Sequence, residues 1–360
     1  MDNKVKYIIN NWKWQQAKKI MAETHKLNYF FWETTLKCNL NCRHCGSDCN
    51  KNEQFKELVS EKVIEVFEDI AQNYDASKIM VAVTGGEPLI RKDLFIVLQK
   101  IHELGFSWGM VTNGMLVDED VVVKCIETGM KTVSVSIDGM EESHNWLRNN
   151  DMSYKKAINA LKLFVQSGKF QVVEAITCVN EKNIDELSDM YQTLLTLGVD
   201  KWRIMSVFPK GRAEGNKELV INAPLLRRLF DFINKARQEG KLDVTYSEEG
   251  YLGPEWELKV RDNLFFCGAG INVAGLLSDG SFCACPSLSR EWIQGHVDEL
   301  TFSEAWETRY QNMRNRKWMK SSECMNCKEW KKCQGQSLHL WDWTNCSHMI
   351  CHYNLLKERE

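Results

Sequence analysis

Three cysteines near the start of the sequence, in the run LKCNLNCRHCG, have the type and spacing of a metal site. Cys38, Cys42 and Cys45 follow the apolar stretch YFFWETTL, so a loop directly behind a predicted strand carries them. A structural zinc ion needs four ligands, for which Cys49 is the nearest further thiol. A 4Fe-4S cluster held by three cysteines instead keeps one iron open for a substrate or cofactor. The run predicts one of these two sites.

A second motif, TGGEPLI, lies about forty residues further on, at the end of the next predicted strand. Its two glycines, Gly85 and Gly86, let the backbone come close to a ligand because they carry no side chain. Glu87 offers a carboxylate to an ammonium group. The motif therefore predicts a binding site for a small molecule with an amino group.

A repeating pattern of helix and strand runs from residue 57 to residue 240. ELVSEKVIEVFEDIAQNYD spaces its apolar residues for a helix, and SKIMVAVTGG follows as an apolar run of strand length. With YFFWETTL as the first strand, about six such units predict an α/β fold with a parallel sheet, either a barrel or a doubly wound sheet. In barrels of this kind the chemistry lies at the carboxyl ends of the strands. The unusual residues of this sequence follow the predicted strands at those ends: the cysteine loop, GGEP, TNG, DG, VN and PKGR. This placement favours a partial (β/α)6 barrel.

Charge and hydropathy exclude several classes of protein. The formal net charge is −3 and the pI is near 6.3, so nucleic acid is not expected as a partner. The sequence has no run of about 18 apolar residues that predicts a membrane span, and its first residues lack the apolar core of a signal peptide. We therefore expect a cytoplasmic protein. Its fourteen cysteines would be reduced there, which favours metal ligation over disulfides.

Together the two motifs resemble those of the radical S-adenosylmethionine (SAM) superfamily, which has CxxxCxxC after the first barrel strand and GGEP after the second. The resemblance extends over residues 29 to 210. It implies that Cys38, Cys42 and Cys45 bind three irons of a 4Fe-4S cluster, while the amino and carboxylate groups of SAM chelate the fourth. Reductive cleavage of SAM then gives a 5′-deoxyadenosyl radical that removes hydrogen from a substrate carbon.

The same resemblance implies that eight residues contact SAM: His44, Gly85, Gly86, Glu87, Asn113, Ser136, Asp138 and Arg148. The GGE residues would hold the ammonium group, and His44 would lie near the adenine. Ser136 and Asp138 match polar residues near the ribose, and Arg148 matches an arginine that pairs with the SAM carboxylate. The alternative interpretation of Arg148 is a solvated surface arginine, and that of Asn113 is a residue of a plain Asn-Gly turn.

The cysteines from Cys267 onward resemble the SPASM extension of radical SAM enzymes, which carries auxiliary iron-sulfur clusters. The resemblance implies six metal ligands here: Cys267, Cys285, Cys324, Cys327, Cys333 and Cys351. An outer cluster would use the last four, with Cys346 as the alternative to Cys351. A zinc ribbon is the alternative to the cluster.

One position departs from the SPASM pattern. The pattern expects a cysteine four residues after Cys333, and Ser337 stands there instead. That thiolate helps to bind the cluster nearer the active site, which would keep Cys267 and Cys285. Cys283, His339 or a ligand other than cysteine would complete the set. The resemblance thus implies one or two auxiliary clusters.

Longer runs, among them FFWETTLKCNLNCRHCGSDC and CGAGINVAGLLSDGS, resemble the radical SAM/SPASM branch of the so-called rSAM/lipoprotein system. SPASM enzymes usually act on peptides, so the resemblance implies an oxidoreductase that modifies a peptide or protein side chain. An external electron donor of flavodoxin or ferredoxin type is implied too. A small metabolite is the alternative substrate, and a non-catalytic zinc or electron-carrier protein is the remote alternative function.

The predicted organisation is a helical extension at residues 1–28 that packs on the barrel, the barrel at 29–240 and the SPASM region at 241–360. Cys125 and Cys178 are expected to be buried apolar thiols, and Cys49 has no assigned role. Three carboxylates could serve a substrate as acid or base, but nothing in the sequence distinguishes them from solvated charges: Glu174, Glu248 and Glu249.

Overall fold

The structure is a computed structural model that describes residues 3–50, 52, 56–247 and 249–357, with side chains from residue 10 onward. Its α-helices are α1 Asn3–Thr24, α2 Ser60–Asn73, α3 Leu94–Glu103, α4 Glu119–Glu127, α5 Glu141–Arg148, α6 Ser153–Ser167, α7 Leu187–Leu197, α8 Ala223–Glu239, α9 Glu257–Val260, α10 Phe302–Arg309, α11 Gln311–Arg314, α12 Trp330–Cys333 and α13 His352–Lys357. Its strands are β1 Tyr29–Glu33, β2 Met80–Thr84, β3 Ser107–Thr112, β4 Met130–Ser136, β5 Val172–Val179, β6 Lys201–Ser206, β7 Asp243–Tyr246, β8 Val273–Leu276, β9 Ser281–Cys283, β10 Gly295–His296, β11 Trp341–Asp342 and β12 Ser347–His348.

A ten-stranded sheet organises the molecule, with the strand order β10-β9-β8-β1-β2-β3-β4-β5-β6-β7. Strands β1 to β7 pair in parallel and in chain order, and helices connect them. This arrangement confirms the predicted partial barrel. Because the seven strands run in one direction, the loops that follow them meet at one edge, where the chemical motifs were expected.

The parallel sheet continues past the boundary predicted at residue 240. Strand β7 pairs in parallel with β6, and β8 pairs in parallel with β1 at the opposite edge. The cysteine-rich region therefore supplies strands to both edges of the barrel sheet. Periodicity gave no sign of this because β7 and β8 have only four residues each, too few to establish a pattern.

Large aromatic side chains fill the core between the sheet and its helices. Trp32, Trp108 and Trp202 are at most 1% exposed. The indole of Trp108 donates to the Thr128 carbonyl at 2.6 Å, and that of Trp202 donates to the Thr177 hydroxyl at 2.8 Å. With their N–H groups paired, these rings bury apolar area without leaving an unsatisfied donor, and they hold the strands in place beneath the site.

Helix α1 packs on the cysteine-rich region, which corrects the expectation that it packs on the barrel. The Trp14 indole donates to the Phe265 carbonyl at 3.2 Å, and its ring lies edge-on to Phe266. Lys18 is 3% exposed and donates to the carbonyl of Lys332 in α12 at 2.5 Å. Sequence periodicity predicts a buried face but not the surface that buries it.

No helix in the described part of the chain combines the length and the apolar character needed to cross a bilayer.

Candidate active site

The loop that follows β1 carries the three clustered cysteines. Cys38 and Cys42 are each 7% exposed, and Cys45 is partly buried. Their side chains pack with Leu36 and Leu40 into a small apolar cluster of their own. The Cys38 N–H donates to the Asn50 carbonyl at 2.7 Å, which closes the loop on itself. The three thiols thus face one apolar enclosure, which also contains the buried thiol of Cys49. This environment suits an iron-sulfur cluster.

Residues at the ends of other strands hold this loop. Asn113, after β3, reaches the Cys38 sulfur with Nδ2 at 3.8 Å, and Nη1 of Arg148 lies 3.8 Å from the Cys42 sulfur. Arg212, after β6, donates from Nε to the Cys42 carbonyl at 2.6 Å and from its backbone N–H to the Cys45 carbonyl at 3.1 Å. Sequence reasoning missed Arg212, although its motif PKGR follows a strand of the predicted barrel.

The GGEP motif lies directly against the cysteine loop. A Cβ added at Gly86 would stand 2.2 Å from the Lys37 carbonyl oxygen, and the Glu87 N–H donates to the same oxygen at 3.0 Å. Only a glycine permits this approach of two backbones. The structure therefore brings the two predicted motifs together.

The Glu87 carboxylate is fully buried, and burial raises its pKa to about 7. Oε1 accepts from the Thr112 hydroxyl at 2.8 Å and from the Leu89 N–H at 3.3 Å, while Oε2 accepts from the Asn113 N–H at 2.8 Å. A carboxylate accepts about four hydrogen bonds, so Oε2 keeps one position for a further donor. A contact between Glu87 and the SAM ammonium stays a prediction.

A buried polar group lies beside the cysteine loop at the ends of β4 and β5. Asp138 is fully buried and accepts from the Arg148 Nε at 2.5 Å and from the Cys178 N–H at 2.8 Å. Burial alone would raise the pKa of Asp138, but the Arg148 guanidinium, the two nearby histidines and the Cys178 N–H together hold that pKa below its usual value. Arg148 is 11% exposed and is not a surface arginine. Ser136 ends β4 nearby and is partly exposed.

His44 and Cys178 face the same aspartate. One ligand atom of each of His44, Asp138 and Cys178 lies within 4.8 Å of the other two. His44 Nδ1 is buried without a hydrogen-bond partner among the described residues, and burial lowers the pKa of His44 to about 4. A neutral, unpaired imidazole nitrogen is available to a ligand. Cys178 is only partly buried, unlike the apolar Cys125, so the prediction for Cys178 was wrong.

The spacing of the cysteine sulfurs argues against zinc. Four thiolates around one zinc ion, each about 2.3 Å from it, stand roughly 3.8 Å apart. Of the His, Cys, Asp and Glu side chains that the structure describes, only His44, Asp138 and Cys178 form a set of three within 4.8 Å. Neither Cys38, Cys42 and Cys45 nor the C-terminal cysteines converge that closely, so among the described residues they do not form a ready-made zinc site.

Four cysteines of the C-terminal region line one cavity of about 330 Å³, part of it open to solvent. We call this the outer auxiliary site; its cysteines are Cys324, Cys327, Cys333 and Cys351. Cys346 is exposed, its thiol lies near the Trp343 carbonyl, and it does not line the cavity. The cavity supports the predicted choice of Cys351 over Cys346 as the fourth ligand.

Replacing Cys351 with alanine is therefore expected to remove the outer cluster, with a loss of about four irons per chain after anaerobic reconstitution. Cys346→Ala is the matched control, since it removes a thiol five residues away that does not face the cavity. Iron analysis of both variants makes the comparison. The reverse pattern, with iron lost only from Cys346→Ala, would contradict this assignment.

The inner auxiliary site, defined by Cys267 and Cys285, is less complete. The two thiols interact electrostatically, and Cys283 interacts with Cys285 from a fully buried position against Gly275 of β8. Ser337 is 1% exposed. His339 lies against Phe208, after β6, with ring centroids 4.9 Å apart. The residues that complete this site stay a prediction.

A carboxylate that was expected to be solvated belongs to the site. Glu249, after β7, is 12% exposed, and its Oε2 accepts from the hydroxyls of Ser206 and Tyr246, each at 2.5 Å. Burial raises the pKa of Glu249 despite these hydrogen bonds. Ser206 and Tyr246 are the last residues of β6 and β7, so Glu249 lies at the carboxyl edge of the sheet, where the motif-bearing loops meet.

Glu174 was also expected to be a solvated charge and is 8% exposed instead. Its Oε2 accepts from the Ser134 hydroxyl at 2.6 Å and from Arg203 at 2.7 Å, so it links three neighbouring strands. Glu248 lies outside the described residues. The sequence did not show that Glu174 and Glu249 are buried because the residues that bury them come from other strands of the sheet.

Comparisons with known proteins agree with this geometry. The model of the radical SAM superfamily matches residues 32–194, and that of the SPASM iron-sulfur cluster-binding domain matches residues 267–328. The AdoMet-dependent heme synthase of Methanosarcina barkeri is 24% identical over 336 residues, which are 88% of this chain and 93% of that protein. Mycofactocin maturase MftC of Mycolicibacterium smegmatis is 24% identical over 309 residues, or 84% of this chain and 76% of that protein.

Among solved structures, native anSMEcpe with bound AdoMet and Cp18Cys peptide superposes with a TM-score of 0.68 at 21% identity. The match covers 91% of this chain and 93% of that one, and it shows a shared fold. The family models and the enzyme relatives support an enzyme over a non-catalytic zinc or electron-carrier protein. The chain belongs to the radical SAM superfamily and carries a SPASM domain: it is an enzyme whose cofactors are SAM, the 4Fe-4S cluster that binds it, and auxiliary iron-sulfur clusters.

Proposed function

We propose that the protein modifies a side chain of a peptide or protein substrate. On one-electron reduction, SAM bound to the cluster supplies a 5′-deoxyadenosyl radical that takes hydrogen from an unactivated carbon. The modification would be a cross-link, an oxidation or an epimerised residue. In this proposal Cys38, Cys42 and Cys45 hold the cluster, and the unpaired His44 nitrogen lies ready for the adenine.

The observation that carries the proposal is the Glu249 carboxylate at the end of β7. Its three donors, the Ser206 N–H and the hydroxyls of Ser206 and Tyr246, all bind Oε2, and no described residue donates to Oε1. Oε1 is not among the fully enclosed polar atoms of the described residues, so a further group can reach it. A carboxylate with a raised pKa and one open oxygen can accept a proton from an O–H, N–H or S–H group of a substrate side chain.

The alternative substrate is a small metabolite, and the M. barkeri relative is named for the synthesis of heme. Heme and its precursors carry carboxylate side chains, which bind best to arginines without a partner. Three arginines of the barrel are already paired: Arg148 with Asp138, Arg203 with Glu174 and Arg212 with Asp48. With those cations paired and one oxygen of the largely buried Glu249 accessible, the charges favour a neutral or cationic peptide. The anSMEcpe structure contains a peptide together with AdoMet.

We further propose a cytoplasmic enzyme that draws electrons from a flavodoxin or ferredoxin. All fourteen cysteines are free, as expected in a reducing compartment. Strong reducing power at the SAM cluster needs such a donor.

Deuterium transfer tests the substrate class. The reconstituted enzyme is incubated anaerobically with SAM, dithionite and a fully deuterated extract of its own source cells, and 5′-deoxyadenosine is analysed by mass. We expect deuterium in the product, and we expect protease treatment of the extract to abolish the label. Label that survives protease, or that comes from a deuterated iron porphyrin added alone, would favour the small-metabolite alternative.

A further inference from the structure

Helix α1, which lies outside both matched domains, brings a buried cation to the outer auxiliary site. Lys18 is 3% exposed and donates to the carbonyl of Lys332, the residue next to Cys333. Its ammonium interacts electrostatically with the Cys333 thiol. The helix therefore delivers a charge as well as apolar contacts.

The surroundings of Lys18 do not neutralise it. An ammonium has three N–H donors, and among the described residues only the Lys332 carbonyl accepts one. Glu257, a carboxylate that acts on the Lys18 charge, is fully buried and accepts from the Leu252 and Phe265 N–H groups, and the Arg316 guanidinium acts in the opposite sense. A buried charge without a direct counterion costs stability unless negative charge is close. Thiolates bound to a cluster in the outer auxiliary site supply such charge.

Gln336 adds hydrogen bonds to the same sulfurs. Its backbone N–H donates to the Cys333 sulfur at 3.1 Å, and its side-chain Nε2 donates to the Cys351 sulfur at 3.4 Å. Gln336 is 1% exposed, and its Oε1 accepts from the Tyr251 N–H at 2.8 Å, which fixes the amide with its nitrogen toward the sulfur. One residue thus contacts two of the four proposed ligands.

We propose that Lys18 and Gln336 are positioning residues that raise the reduction potential of the outer auxiliary cluster. Reduction adds one electron to the cluster, and a nearby cation and N–H donors stabilise the added negative charge. The outer cluster then accepts an electron from the substrate radical, directly or through an intervening carrier, more readily than the cluster that cleaves SAM does. The inference rests on the proposed ligand set of the outer site.

The test is an anaerobic redox titration followed by electron paramagnetic resonance. The signal that disappears in Cys324→Ala identifies the outer cluster, and its midpoint potential is then measured in Lys18→Met. We expect a shift to more negative potential with unchanged iron content. Lys18→Arg, which keeps the charge, should restore the potential. Lys19→Met is the matched control, because Lys19 is the next residue on α1 and is exposed.

An outer-cluster signal that stays at the wild-type potential in Lys18→Met would overturn the inference. If Lys18→Met loses the signal altogether, the midpoint potential is measured in Gln336→Met instead. This variant lacks the side-chain donor, so its potential should also shift downward. An unchanged potential overturns the inference. If the Cys324→Ala variant keeps every signal of the wild-type protein, the ligand set of the outer site is contradicted instead.

Discussion

Replacing Cys38, Cys42 and Cys45 together with alanine is expected to reduce SAM cleavage to background. The three thiols share one apolar enclosure, so without them nothing holds the cluster that delivers an electron to SAM. Anaerobic reconstitution, iron analysis and a mass assay for 5′-deoxyadenosine measure the effect. Wild-type protein should bind about eight or more irons, and the triple variant about four fewer, because the auxiliary sites lie on other segments.

The matched control for this variant is Cys125→Ala. Cys125 is fully buried in α4 within the barrel core, so the control tests the loss of a thiol without the loss of a ligand. It should retain its iron and its SAM cleavage. The assignment fails if the triple variant still forms 5′-deoxyadenosine. About four irons in active wild-type protein would keep the radical enzyme and remove the auxiliary clusters.

The barrel and the meeting of its two motifs were predictable because both depend on local sequence. Strands such as β2, with the buried residues Val81, Ala82 and Val83, read as apolar runs, and each is followed by a helix with apolar residues at helical spacing. Parallel strands in chain order then bring the following loops to one edge. No further information is needed to place Cys38 beside Gly86.

The residues that sequence reasoning missed depend on partners far away in the chain. Arg212 donates to the carbonyl of Cys42, 170 residues earlier, and Lys18 to that of Lys332, 314 residues later. Glu249 is buried by Ser206 across 43 residues. A single carboxylate or cation in a polar stretch has no periodicity, so its burial becomes visible only when the sheet is assembled.

The electrostatics of the site separate two carboxylates by role. Asp138 is paired with Arg148, and its pKa is held low, so it stays ionised and orients the guanidinium. No lysine or arginine of the described residues forms an ion pair with Glu249. His352 lies 3.8 Å away, but burial lowers its pKa to about 3 and leaves it neutral, and burial raises the pKa of Glu249. When the surroundings of two carboxylates in one site shift their pKa values apart, the one with the low pKa can serve as a fixed charge and the one with the raised pKa can transfer protons.

Glu249→Gln is expected to lower product formation by about 10² to 10⁴-fold, the usual contribution of a positioned general base. Glutamine keeps the size and the acceptor oxygen for Ser206 and Tyr246 but takes no proton. Hydrogen abstraction precedes the proton transfer, so 5′-deoxyadenosine should still form and still carry deuterium from a deuterated substrate. Mass analysis of both products measures this separation. Glu255→Gln, at an exposed carboxylate in the following loop, is the control.

The pH dependence of the wild-type enzyme gives an independent check on this role. A base must be deprotonated, so product formation should rise with pH through the Glu249 pKa, which lies above that of an ordinary carboxyl group. The Tyr246 hydroxyl donates to the carboxylate and lowers this pKa, so Tyr246→Phe should move the acid limb of the profile to higher pH. In Glu249→Gln the limb should vanish. A limb that persists there would assign the proton transfer to another group, because glutamine has no proton to gain or lose in this range.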